Sequence, residues 1–184
     1  TPSATIALNI IIQGLLQNGS KNVYVTPFEH NAVTRILHHF EKLGRISLYQ
    51  LTVSDSLCYD LSAISRQFEK NKPESVMLSH ASNGGGLIAP VEESSILAKR
   101  YSAAVVVDMA QTSGLVFCNT GLETIDFAVF AGHKTLYGPT GISGFAMNPS
   151  IQLPAILFGG TGYDSANQEM PASLPERYEM GTLS

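Results

Sequence analysis

The segment Ala103–Val107 constrains the fold more than any other part of the chain. It consists of five consecutive apolar residues, three of them valines. A strand covered on both faces has such a continuous apolar run, whereas a strand with one wet face alternates apolar and polar residues. Doubly covered strands are typical of parallel sheets that carry helices on both sides. The run therefore predicts a central strand of an α/β sheet.

Helix and strand patterns alternate along the rest of the chain. Apolar residues at helical spacing predict four helices, at Ala4–Leu16, Asn31–Leu43, Asp60–Lys70 and Val91–Tyr101. Short β-prone runs predict strands at Val23–Thr26, Arg45–Val53, Ser75–Ser79, Ala103–Val107, Phe127–Phe130 and Ile142–Met147. Asn31 is a candidate cap for the second helix. The alternation predicts the α/β class, with a mostly parallel sheet in a three-layer α/β/α arrangement and one domain over residues 1–184.

Composition excludes several classes of protein. The 184 residues are 44% hydrophobic and 14% charged, which is typical of a globular domain rather than a disordered chain. A net charge of −4 without a basic run argues against nucleic-acid binding. Apolar runs such as Ile10–Ile12 and Ala103–Val107 are too short to span a membrane, and no secretory signal is visible, so we expect a cytoplasmic protein. The abrupt ends suggest a fragment of a longer protein.

Polar and ionisable residues follow four of the predicted strands. These are Glu29–His30, His80–Asn83, Asp108–Gln111 and His133–Lys134. In parallel α/β sheets, ligands bind beyond the carboxyl ends of the strands. The four segments therefore predict one site along a single edge of the sheet.

Lys134 and Asp108 indicate what this site could do. Lys134 follows a buried run and lies between small residues, where partial desolvation favours a neutral amine that can form a Schiff base. Asp108 follows five apolar residues and needs a partner, such as a protonated ring nitrogen. Pyridoxal phosphate requires this pair, and His30 could stack on its ring. The alternatives are a solvated loop lysine and an aspartate that caps a turn.

Other polar residues carry weaker signals. Ser3–Thr5 opens the first helix and suits a phosphate, although an ordinary N-cap needs the same residue types. The histidines show no metal-ligand spacing, so we expect no metal. Cys58 and Cys118 lie in or beside apolar segments, and we expect both to be buried.

Seven motifs occur in a distinctive order and spacing. They are Ala4–Asn9, Glu29–Asn31, Ser79–Asn83, Val107–Gln111, Gly132–Pro139, Gly159–Gly162 and Pro175–Thr182. In this order they resemble the class V aminotransferase group of fold-type I pyridoxal-phosphate enzymes, and most closely its cysteine desulfurase and selenocysteine lyase branch. The resemblance covers nearly the whole chain. It implies a partial pyridoxal-phosphate-binding major domain over residues 1–184, without the family's amino-terminal arm and carboxyl-terminal small domain.

The resemblance implies a role for each residue around the cofactor ring. Lys134 would hold the cofactor as a Schiff base and later move the substrate Cα proton. Asp108 would pair with the pyridine nitrogen, and His30 would stack on the ring. Gln111 would hydrogen-bond the phenolic oxygen of the ring, and Asn83 would lie near that oxygen and the substrate carboxylate.

The resemblance also implies a phosphate site. Ala4 and Thr5 would contribute from the start of the first helix, together with His133. Thr182 would reach the phosphate in the other subunit of a homodimer.

Three positions depart from the family pattern. Ile6 replaces the usual glutamate, Ser3 a glycine, and Ala131 a serine or threonine that would donate to the phosphate. Neither Cys58 nor Cys118 lies where the family has its nucleophilic cysteine. That cysteine and the arginine that binds the substrate carboxylate belong to a later region.

The function implied by the resemblance is cysteine desulfuration by the parent protein, giving alanine and an enzyme persulfide. Three alternatives remain at this point: a class V aminotransferase, a selenocysteine lyase, or a non-catalytic fragment that keeps the fold. The partners implied are a cysteine-like amino acid and a second copy of the chain, with no nucleic acid and no membrane.

Overall fold

The computed structural model describes residues 1–121, 123–162 and 166–181, and its strands form one sheet. The strands are β1 (Asn22–Val25), β2 (Ser47–Gln50), β3 (Ser75–Ser79), β4 (Ala104–Asp108), β5 (Phe127–Ala131) and β6 (Ser143–Met147). Their order in the sheet is β2-β1-β3-β4-β5-β6. All neighbouring pairs are parallel except β5 and β6, which run antiparallel. The predicted α/β class and mostly parallel sheet are thus confirmed.

Helices cover both faces of this sheet. They are α1 (Ala4–Gln17), α2 (Asn31–Lys42), α3 (Leu61–Lys70) and α4 (Val91–Lys99). Ile11 of α1 and Leu37 of α2 pack into one hydrophobic core. Phe68 of α3 and Ala98 of α4 pack into a second core on the opposite face. The three-layer α/β/α arrangement is therefore as predicted.

Strand β4 has the covered environment that its apolar run predicts. Val106 packs into the core formed with α1 and α2, whereas Val105 and Val107 pack into the core formed with α3 and α4. All three valines are buried. Because β4 lies between β3 and β5, the run carries Asp108 to the carboxyl-terminal edge of the sheet.

Several element boundaries differ from prediction. Strand β2 is shorter because it pairs only with the four residues of β1. Helix α4 ends before Tyr101, since Ser102 adopts a left-handed conformation with φ of 59°. His30, not Asn31, caps α2. His30 has an extended backbone and its Nδ1 accepts a hydrogen bond from the Ala32 N–H, while Asn31 is already the first helical residue.

The expectation that both cysteines are buried is wrong for Cys58. Cys58 is exposed, in a tight turn where Leu57 has a φ of 62° and Val53 bridges to Tyr59. Its side chain therefore has no core to enter. Cys118 is half-buried and lines an apolar cavity.

The described residues include no candidate for a membrane-spanning helix or a metal site. None of their helices is both long enough and apolar enough to cross a membrane. They also contain no group of three or more His, Cys, Asp and Glu side chains placed to hold a metal ion.

Candidate functional site

A cavity of about 270 Å³ lies at the carboxyl ends of β3, β4 and β5. This volume is near the lower end for small-molecule sites, which is about 300 Å³. Its wall contains these residues singled out from the sequence: Ala4, Thr5, His30, Asn83, Asp108, Gln111, His133 and Lys134. Thr182, the remaining predicted site residue, lies outside the described residues. The structure therefore brings the described candidates together, while their individual roles stay predictions.

A tightly closed turn after β5 places Lys134 in the cavity wall. The Gly132 N–H donates to the Ile142 carbonyl at 2.8 Å, and the Gly138 N–H donates to the Gly132 carbonyl at 2.8 Å. A Cβ on Gly132 would lie only 2.7 Å from the Ile142 oxygen, so larger residues would not fit there. The turn leaves Lys134 half-buried, where its amine can meet a ligand.

Asp108 brings a carboxylate to the same cavity. It is 8% exposed, and its Oδ1 accepts a hydrogen bond from the Ala110 N–H at 2.9 Å. Its Oδ2 accepts none from the residues that the structure describes. Burial raises the pKa of Asp108, while the Ala110 N–H and the nearby charges of Lys134 and His30 act to lower it. A positively charged ligand atom beside Asp108 would offset the free-energy cost of burying its charge.

His30 presents an imidazole ring to the cavity from the start of α2. Its Nδ1 accepts a hydrogen bond from the Ala32 N–H at 3.1 Å, which orients the ring and places the proton of a neutral imidazole on Nε2. His30 therefore both caps α2 and lines the cavity.

The amino terminus of α1 supplies hydrogen-bond donors. Ser3 caps the helix by accepting from the Ile6 N–H at 3.2 Å. The backbone N–H groups of Ala4 and Thr5 donate to no other described residue, and both residues line the cavity. Free N–H groups at the positive end of a helix dipole favour a bound anion. Ala131 also lines the cavity, but its methyl group offers no donor.

Two ionisable residues expected at this edge, His80 and Glu29, do not line the cavity. His80 is 4% exposed, its Nδ1 lies 2.8 Å from the Thr112 hydroxyl oxygen, and burial lowers its pKa. The carboxyl group of Glu29 accepts hydrogen bonds from Thr26 and Ser79. The position of a residue just after a strand does not show whether its side chain points into the cavity or into the protein interior.

Five further lining residues received no role from the sequence, although all of them except Ala32 lie within the predicted site segments or motifs. These are Leu8, Ala32, Ser79, Ala81 and Ala110. None of them carries an ionisable group, so the sequence offers no chemical signal for them beyond their position within or beside the motifs.

The cavity combines groups that can act on one ligand. The amine of Lys134 can bond to an aldehyde, and the carboxylate of Asp108 can hold a protonated nitrogen. The start of α1 can bind an anion. A molecule that carries all three features would satisfy the site.

Comparison with known proteins identifies similar proteins of one enzyme family. The family model for class-V aminotransferases matches residues 1–184. A probable cysteine desulfurase from Pyrococcus abyssi is 30% identical, over 99% of this chain and 46% of its own length. A probable cysteine desulfurase from Chlamydia muridarum is 32% identical, over 87% of this chain and 40% of its own length.

Solved structures show the same fold. The apo structure of a cysteine desulfurase from Thermococcus onnurineus superposes with a TM-score of 0.88 at 28% identity. The match covers all of this chain and 47% of that one. The chain thus spans about half the length of the curated relatives it matches. Since the family model covers its full length, the chain belongs to the class-V aminotransferase family.

Proposed function

We propose that this chain is the cofactor-binding domain of a pyridoxal-phosphate enzyme that removes sulfur from L-cysteine. The observation that carries the proposal is the convergence of Lys134, Asp108 and the start of α1 on one cavity. Membership of the class-V aminotransferase family and similarity to cysteine desulfurases support it.

The residues present fit pyridoxal phosphate. The Lys134 amine matches its aldehyde, the open Oδ2 of Asp108 matches its pyridine nitrogen, and the free N–H groups of Ala4 and Thr5 match its phosphate. His133 and Thr182 are proposed as further phosphate contacts, the latter across a homodimer. Ala131 lacks the hydroxyl that the family pattern has at this position, so we expect the phosphate to be held mainly by backbone groups.

Each residue would then act on a defined atom. When bound, pyridoxal phosphate supplies a ring that withdraws electrons from the substrate Cα. Asp108 would keep the proton on the ring nitrogen, because an opposite charge nearby favours the protonated form. Lys134 Nζ would hold the cofactor at rest and take the Cα proton during the reaction. His30 would stack on the ring, and Gln111 and Asn83 would orient its polar edge.

The sulfur step requires groups outside this chain. A cysteine thiolate of the parent would attack the substrate sulfur, and the electron pair of the broken C–S bond would stay with the product, which becomes alanine on protonation. Neither Cys58 nor Cys118 lines the Lys134 cavity. Burial also raises the pKa of the Cys118 thiol, and a nearby Glu92 adds to this, so its reactive thiolate is disfavoured.

The test is product analysis with the full-length parent. With L-cysteine, pyridoxal phosphate and a thiol reductant that cleaves the enzyme persulfide to release sulfide, we expect equal amounts of sulfide and alanine, and the Lys134→Ala variant should give neither. Selenocysteine as the much preferred substrate would indicate the lyase instead. Formation of a keto acid from the amino acid, without sulfide, would indicate an aminotransferase. Absence of any turnover by a cofactor-loaded parent would favour a non-catalytic protein.

A further inference from the structure

Glu29 is a buried acid for which the proposed chemistry has no use. Its Oε1 accepts hydrogen bonds from the Thr26 hydroxyl at 2.7 Å, the Ser79 N–H at 2.7 Å and the Thr26 N–H at 3.3 Å. Its Oε2 is buried and has no partner among the described residues. Although part of the residue reaches solvent, its carboxyl group is thus enclosed.

The hydrogen bonds of Glu29 join two strands at the edge of the sheet that bears the cavity. Thr26 directly follows β1, and Ser79 is the last residue of β3. Glu29 is followed by His30, which lines the cavity and caps α2, and Ser79 itself lines the cavity. One oxygen therefore connects the two backbone segments that deliver His30 and Asn83 to the site.

Among the residues that the structure describes, no cation balances a charge on Glu29. The ionisable groups that act on it, or that it acts on, are Asp108 of β4 and Tyr59 from the turn before α3, and neither is a base. Burial raises the pKa of Glu29 to about 7, and the charge of Asp108 adds to this rise. The hydrogen bonds from Thr26 and Ser79 lower the pKa but do not outweigh the effect of burial. A proton on Oε2 leaves Oε1 free to accept and leaves Asp108 as the charged partner for the ring nitrogen.

We propose that Glu29 is a positioning residue of the cofactor site, which holds His30 over the ring by tying the end of β1 to the end of β3. This inference rests on the proposed function. It assigns Glu29 no contact with the cofactor or the substrate. Its effect on cofactor binding is expected to pass through the position of His30.

Glu74 offers a matched control, because it makes the same kind of bridge at the opposite end of the sheet. Glu74 lies just before β3. Its Oε2 accepts hydrogen bonds from the Lys21 N–H at 2.6 Å and the Asn22 N–H at 2.8 Å, at the start of β1. It lies away from the cavity wall. Loss of Glu74 should therefore weaken the same strand pair without disturbing His30.

The experiment is a cofactor titration of the full-length parent. The dissociation constant of pyridoxal phosphate is measured by visible absorbance, and unfolding of each apo-protein is followed in urea. The proteins compared are the wild type, Glu29→Gln, Glu29→Ala, His30→Ala, the Glu29→Ala/His30→Ala double variant and Glu74→Ala. We expect Glu29→Ala to weaken binding about 10-fold, the size of one or two hydrogen bonds. Glu29→Gln, whose amide oxygen can accept the same bonds, should stay within about 3-fold of the wild type.

The double variant distinguishes positioning from a general loss of stability. If Glu29 acts through His30, adding Glu29→Ala to His30→Ala should weaken binding by no more than about 2-fold, because residues in one network are not additive. Glu74→Ala should lower stability and leave the dissociation constant unchanged. Additive losses, or equal effects of Glu29→Ala and Glu74→Ala on binding, would overturn the inference. A wild-type parent that does not bind the cofactor at all would instead overturn the proposed function.

Discussion

Asp108 and Asp126 are both buried aspartates at the ends of neighbouring strands, but their environments differ. Asp126 is 2% exposed and precedes β5, where its Oδ2 accepts from the Lys99 ammonium group and from the Val105 N–H. Asp108 is 8% exposed and ends β4, where its carboxyl group accepts a hydrogen bond from the Ala110 N–H and from no other described residue. Lys134 lies close enough to influence Asp108 but forms no salt bridge with it within the described chain.

The difference separates a structural acid from a candidate functional one. Asp126 and Lys99 neutralise each other, so their charges are used within the fold. Asp108 and Lys134 face one cavity with unused bonding capacity, which costs free energy unless a ligand supplies the missing partners. A lysine and an aspartate that form a salt bridge with each other do not indicate a functional site. A lysine and an aspartate that face one cavity without a salt bridge between them do indicate one.

The largest effect is expected for Asp108→Ala, which should greatly slow the reaction at the substrate Cα but hardly change the stability of the protein. In the cofactor-loaded parent, Asp108→Ala should slow hydrogen–deuterium exchange at the Cα of a bound amino acid by about 10²–10³-fold. This corresponds to about 3–4 kcal/mol, from a drop of two to three units in the pKa of the ring nitrogen. Unfolding of the apo-protein in urea should change by less than about 1 kcal/mol, because the lost carboxylate is not paired. A variant with cofactor bound that exchanges at the wild-type rate would exclude Asp108 as the partner of the ring nitrogen.

The opposite result is expected for Asp126. Asp126→Ala leaves Lys99 and the Val105 N–H without their acceptor and should lower the free energy of unfolding by about 3 kcal/mol, since breaking a buried pair leaves an uncompensated charge. Partial exposure of Lys99 places the value at the lower end of the usual range. Urea unfolding of the apo-protein measures it. A matched Asp126→Asn/Lys99→Met variant should recover part of the loss, and an unchanged midpoint for Asp126→Ala would show that this pair is not structural.

A third prediction concerns pH and Glu29. Because the folded-state pKa of about 7 lies above the ordinary value of 4.5, the folded protein holds this proton more tightly than the unfolded chain. The favourable contribution of the neutral acid is therefore complete below pH 4.5 and is lost as the pH rises towards 7, on the order of 2–3 kcal/mol. Urea unfolding of the apo-protein between pH 4.5 and 7.5 tests this. The loss should be absent in Glu29→Gln, and an identical pH dependence in both proteins would contradict it.

The smallest effect is expected at the cysteines, which lie outside the Asp108–Lys134 cavity. Cys58→Ser and Cys118→Ser in the parent should leave sulfide release within about 2-fold of the wild type, because neither side chain lines that cavity. For the same reason, residues 1–184 alone should not sustain turnover, since alignment of the reacting groups supplies much of such a barrier. A loss of more than 10-fold on removing either cysteine would place a nucleophile in this chain.

The sequence predicted the central strand and the cavity residues because both depend on local patterns. The Val105–Val107 run determines burial on both faces, and Asp108 and Lys134 follow strands whose carboxyl ends meet. Contacts between distant segments could not be predicted in this way. Ser79 donates to Glu29 across 50 residues of chain, and the burial of His80 depends on Thr112.

The helix cap and the exposed cysteine show a second limit. Asn31 is a better cap than His30 by residue preference, yet the extended backbone at His30 decides the outcome. Cys58 has an apolar neighbour in Leu57, but a left-handed turn residue keeps that segment at the surface. In both cases the backbone path, set by the surrounding fold, overrides the preference of the residue type.

The comparison of the two aspartate–lysine pairs is tested most directly by locating the lysine that bonds to the cofactor. The parent is loaded with pyridoxal phosphate, reduced with borohydride, digested and analysed by peptide mass mapping. We predict that the cofactor mass is found on the peptide that contains Lys134, and that Lys99, which is held by Asp126, carries none. Cofactor on Lys99, or on any lysine other than Lys134, would contradict the assignment of this cavity as the cofactor site.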